Sequence, residues 1–94
     1  MLYGVDINQR VEFISSRDIS DPKTVFVLRP LGGLELARIG DTDKALIEAI
    51  VEIRNMPDGM TKEDYVSSLD SISLWELVSK ANVLNKVTGQ DEKN

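Results

Sequence analysis

The side chains of this chain able to do chemistry are carboxylates and hydroxyls, and their spacing decides what they can do. Asp41 and Asp43 stand two apart, and Glu63 and Asp64 are adjacent. Neighbouring helical residues point about 100° apart, so Glu63 and Asp64 do not converge on one substrate atom. They read instead as negative charges placed at the positive end of a helix. Asp41-Thr42-Asp43 resembles the opening of a calcium loop, but Leu46 occupies the sixth place, where such a loop turns on glycine. Gly32-Gly33 is too short to cradle a phosphate and has no following Lys. Serines are plentiful, yet the sequence has no His to activate one and no Cys to replace one. The same two absences exclude a disulfide frame, a Cys/His zinc site and an imidazole base. The expectation is a protein without catalytic residues, metal or other cofactor.

Ninety-four residues suit one small domain, and 41% hydrophobic with 29% charged residues suits a folded one. Eleven basic against sixteen acidic side chains give a net charge of −5, the wrong sign for coating a phosphate backbone. The charge is uneven. Residues 1–40 balance five against five, and the whole excess lies in 41–94. Helices near 43–55, 61–69 and 73–88 imitate a helix-turn-helix core. The last of them offers only Lys80 and Lys86 as cations, so a nucleic-acid partner is not expected. No apolar run exceeds four residues, against about 20 for a membrane span. The start lacks the basic and apolar regions of a secretory signal, which makes the cytoplasm the default location.

The elements follow from periodicity and punctuation. Arg10 to Ser15 alternates, with Val11 and Phe13 on one face. Thr24-Val25-Phe26-Val27-Leu28 is the strongest strand signal, rich in β-branched and aromatic residues and ended by Pro30. Together they predict a β-hairpin over 1–31. Its polar connection, Ser16–Lys23, is long enough to be mobile or to meet a partner. A helical body over 32–89 follows. Leu34–Ile39 makes a short helix stopped by Gly40, and Asp41 or Thr42 caps the next. The stripe Ala45, Leu46, Ala49, Ile50 and Ile53 carries that helix to Met56-Pro57-Asp58-Gly59. Thr61 opens a third helix through about Leu69. Ser73-Leu74-Trp75-Glu76 fits a capping box for the last, with Leu74, Leu77, Val78, Ala81 and Leu84 on one face and a stop at Gly89. Residues 90–94 form a polar tail. The class is α+β, a single domain in which a hairpin precedes a small bundle of three to four helices.

What remains is surface for binding. A two-stranded ribbon cannot bury both faces of Val25, Phe26, Val27 and Leu28 by itself, and its edges offer unpaired backbone groups. Either the helices cover one face and leave the other as apolar surface, or a partner takes it. Ile47 with Val51, and Val83 with Val87, widen their helices' stripes beyond one neighbour's need, which implies a central helix or a contact between copies of the chain. Trp75 lies in a first turn, where core packing is the simpler account. The candidate partner-binding residues are thus Val25, Phe26, Val27, Leu28, Ile47, Val51 and Trp75.

Two stretches carry a family likeness. Thr24 to Glu35 reads T-x-F-x-L-R-P-L-x-G-x-E, and Leu84 to Asn94 is similar to an ending L-N-x-L-T-x-E-E-K-N, departing from it at Val87 and Gly89-Gln90-Asp91. Over about a third of its length the chain resembles small tail assembly chaperones of tailed bacteriophages. The resemblance implies a non-catalytic factor in the bacterial host cytoplasm. Such a factor binds the tape-measure protein, keeps it dispersed and helps recruit tail-tube subunits. A permanent virion component, a head–tail connector or minor tail protein, is the alternative. An acidic mimic of nucleic acid would need clustered carboxylates, for which Glu48, Glu52, Asp41 and Asp43 are a thin basis.

Overall fold

The computed structural model describes residues 5–86, in an α+β arrangement of three strands and four helices. The strands are β1 (Val11–Phe13), β2 (Val25–Leu28) and β3 (Ile50–Arg54); the helices are α1 (Gly33–Ile39), α2 (Thr42–Ala49), α3 (Lys62–Ser68) and α4 (Ser71–Lys86). All strand pairs are antiparallel, in the order β1-β2-β3. Val87, the Gly89 stop and the 90–94 tail lie outside the described residues.

The hairpin of β1 and β2 forms as expected, with Phe13 opposite Phe26 and Val11 opposite Leu28. Its other neighbour is a correction. Residues 50–54, expected to continue a helix, pair with β2 instead. Ile50, Val51 and Ile53 are β-branched and favour the pleated form once a free strand edge is available. A bulge explains the misleading pattern. Leu28 faces Ile50 while Val27 faces Glu52, so Val51 is the extra residue. The bulge turns Ile50 and Ile53 to the same face although they are three apart, a spacing that belongs to helices.

That inner face carries the core. Phe26, Leu28 and Ile50 pack with Val66 of α3 and with Leu77 and Leu84 of α4. The Phe26 ring sits 6.2 Å from Phe13 and 6.1 Å from Tyr65, centroid to centroid. A second cluster, Leu31, Ala49 and Ala81, joins the chain after β2 to the end of α2 and the second half of α4.

On the outer face of the sheet Val27 is only 5% exposed. Arg54 accounts for this. Its Nη1 donates to Glu12 Oε2 at 2.6 Å and its Nε to Glu52 Oε2 at 2.9 Å. Glu12 and Glu52 are the two residues paired with Val27, so the bracket spans β2 from one edge strand to the other. The ion pairs are exposed and screened by solvent, so by themselves they add little to stability. Their hydrocarbon stems, however, exclude water from Val27.

The helix ends are set by local chemistry. Gly40 closes α1 at φ 67°, a left-handed conformation that costs glycine least, and its N–H donates to Leu36 O. Asp41 caps α2, accepting from the Asp43 and Lys44 N–H groups at 2.8 and 3.2 Å. Asp41→Ala is expected to cost about 0.5–2 kcal/mol, read as a lower urea midpoint with unchanged slope. Thr61 Oγ1 accepts from Asp64 N at 3.1 Å at the head of α3. The last start differs from expectation. α4 begins at Ser71 and not at Ser73, with Asp70 accepting from Ser73. Glu76 is no capping-box partner, because it is drawn to the β1–β2 loop.

Candidate partner-binding site

Phe26, Val27 and Leu28 are 4%, 5% and 0% exposed and Val25 is half-buried. The first three are buried: Phe26 and Leu28 pack in the core with residues of α3 and α4, and Val27 lies between Glu12 and Glu52, which Arg54 links. Ile47 is half-buried, reaching the core from α2. Val51 is exposed at the bulge of β3, not on a helix. Trp75 is 70% exposed, so the core role suggested by its place in the first turn does not hold. The structure does not bring these seven residues together into one site.

The loop expected to be mobile or partner-bound is tied to the body. Ser15 Oγ donates to Glu76 Oε1 at 2.7 Å, Ser16 N donates to the same oxygen at 3.2 Å, and Ser16 Oγ donates to Oε2. Arg17 pairs with Asp70 at 3.2 Å. Further along, the Asp18 carboxylate accepts from Ser20 N at 2.8 Å and Thr24 N at 2.7 Å. This bracing leaves Ile19 fully outside, 97% exposed.

A concave feature lies along α1, α2, α3 and α4. An open groove of about 1260 Å³ runs between the α1–α2 arm and the α3–α4 pair. Leu36, Ile39, Ala45 and Leu46 line one wall, and Leu74, Val78 and Ala81 the other. Small side chains make the space. Ala49 and Ala81 are buried together where α2 meets α4 and form the floor, while half-buried Ala45 lines the open part above them. The rim is charged, with Asp41, Asp43, Glu48 and Glu63 outnumbering Arg38 and Lys44.

Two polar ties hold the arm. Arg29 donates to Glu35 through Nη1 at 3.0 Å and Nη2 at 2.8 Å, and lies 3.7 Å from Glu48. It thereby links the end of β2 to α1 and α2. Asn85 of α4 accepts from Leu31 N at 2.7 Å, fixing the connection into α1. Of the seven candidate residues, Ile47 alone lines the groove. Sequence reading missed the rest because Leu74 and Val78 share a helical stripe with buried Leu77, Ala81 and Leu84, and a stripe does not show which of its edges is left uncovered.

Among the described residues four carboxylates titrate below their ordinary range. The Ser16 and Ser15 hydroxyls lower Glu76, Ser20 lowers Asp18, Ser73 lowers Asp70, and Arg29 lowers Glu35. Each favours the folded state while ionised. That stabilisation is complete above the unfolded carboxylate range near pH 4 and is lost as pH falls through the lower folded values. With no His in the sequence, the urea midpoint is expected to stay flat between about pH 5.5 and 8 and to fall steadily below about pH 4. A midpoint that moved between pH 6 and 7 would contradict this assignment.

Among the described residues there is no group of three or more potential metal ligands, and no helix is long and apolar enough to cross a membrane. No family model, curated protein or solved structure matches the chain.

Proposed function

We propose that this protein is a non-catalytic tail assembly chaperone whose groove covers an apolar helical face of the phage tape-measure protein and which helps recruit tail-tube subunits. The single observation carrying the binding role is the size and lining of the groove. Small-molecule pockets run from about 300 to 1,000 Å³ and enclose their ligand. This groove is open to solvent and presents aliphatic walls with a charged rim. A helix about 10 Å across, laid along the trough, sets its apolar side between these two walls. A helix laid apolar side inward is one of the recurrent modes of peptide recognition.

The chaperone identity adds the likeness of Thr24–Glu35 and the 84–94 ending to this geometry. A partner that must later be released is suited by a shallow aliphatic trough without a deep anchoring pocket. The acidic surface, net −5, keeps a complex with an apolar partner dispersed.

The test is co-expression with tape-measure and tail-tube proteins of a tailed phage, followed by affinity capture and by mass spectrometry of mature particles. Retention of the tape-measure protein, with this chain missing from finished virions, is the expected result. No retention would overturn the chaperone reading. Presence in purified virions would favour a permanent connector or minor tail protein.

A further inference from the structure

We infer that the helix entering the groove is a basic one, with lysines or arginines flanking its apolar stripe on both sides, an inference that rests on the groove being the binding site. The walls are aliphatic, and the charge sits at the two margins. On the α1–α2 margin three acids, Asp41, Asp43 and Glu48, stand against two bases, Arg38 and Lys44. On the α3–α4 margin Glu63 is the one charged residue lining the groove among the described residues. Its neighbour Lys62 is engaged elsewhere, donating from Nζ to Ile50 O at 2.9 Å. Each margin is therefore net negative. All four carboxylates also belong to residues 41–94, which hold the chain's whole excess of acid.

Two of these carboxylates are left for a partner. Asp41 is held as the cap of α2, and Glu48 lies 3.7 Å from Arg29. Asp43 and Glu63 are exposed and form no ion pair among the described residues. They stand in the first turns of α2 and α3, on opposite sides of the trough. A helix with neutral flanks, laid between such margins, draws carboxylates away from water without compensating them. One with acidic flanks is repelled. Lysine and arginine answer both demands. Their methylene stems lengthen the contact with the aliphatic walls while the charged heads reach the rim. Positions beside an apolar stripe are also those that set partner choice when helices pair. Other occupants lack this charge. A second copy of the chain brings a further −5, and the chain's own Gln90-Asp91-Glu92-Lys93-Asn94 offers two acids against one base and no apolar face.

Exposed ion pairs are individually weak and screened by salt, so the margins select among helices and the aliphatic walls hold them. The test uses the whole chain and three labelled three-turn peptides with the same leucine stripe, flanked by lysine, by glutamine or by glutamate. Anisotropy at low salt should rank them in that order, with at least about tenfold between first and last. In about 0.5 M salt, where the screening length is under about 5 Å, the gap should narrow to about threefold or less. Asp43→Lys combined with Glu63→Lys makes both margins net positive and should reverse the ranking. A folding defect would instead weaken all three peptides alike. Equal affinity for the three, or a preference for glutamate, would overturn the inference; if Val78→Asp still weakened capture of the glutamine peptide, the groove itself would stand as the binding site. Failure of every peptide to bind would remove the groove reading and this inference together.

Discussion

Phe26→Ala is expected to cost about 3–5 kcal/mol, the range for deleting a buried aromatic side chain. Phe26 is 4% exposed and lies between the Phe13 and Tyr65 rings, so its removal opens a cavity bounded by two rings that cannot both move into it. A domain of this size has about 5–15 kcal/mol in total. The loss should lower the midpoint of thermal unfolding by at least about 12 °C. In urea the midpoint should drop without a change of slope. A cost under about 1 kcal/mol would return Phe26 to the surface role that its strand context first raised.

Val78→Asp is expected to weaken capture of an amphipathic helix at least about 100-fold, or 2.7 kcal/mol, while lowering stability by about 1–3 kcal/mol. Val78 is half-buried on the α4 wall of the groove, one turn after Leu74 and one before Ala81–Asn82. A carboxylate there places a charge against the bound helix's apolar side, where no cation is positioned to meet it. Val and Asp have similar helix propensity, so α4 itself should persist. The measurement is anisotropy of a labelled three-turn peptide with leucines on one face, with circular dichroism as the check on folding. Undiminished binding would show that the peptide sits elsewhere.

How much of this was legible beforehand depends on what marked each element. α1 and α3 were readable because their ends are written in single residues, Gly40 at one and Thr61 at the other. The hairpin was readable because Val25–Leu28 has no competing pattern and Pro30 ends it. β3 was not. Its bulge at Val51 puts Ile50 and Ile53 on one face at a helical spacing, and the strand that selects the extended form is remote in sequence. The start of α4 was misplaced because two caps compete within four residues. Asp70 takes Ser73, while Glu76 is claimed by Ser15 and Ser16, some sixty positions earlier. The candidate site was less legible still. Residues such as Leu74 and Leu36 have the types and spacing of core, and only the separation of the two helix pairs shows that they border open space. Trp75 misled in the opposite direction, since its size argued for burial and its azimuth on α4 put it outside.

The order of the strands bears on how the chain comes to be folded. β2 lies in the middle of the sheet, but one of its two neighbours is synthesised only after both α1 and α2. Until Arg54 arrives, the most β-prone stretch of the polypeptide has an unpaired border, and the Glu12–Glu52 bracket over Val27 is incomplete. A fragment ending anywhere before that arginine should therefore stick to its own kind, and the first half of the gene should yield insoluble product when expressed alone.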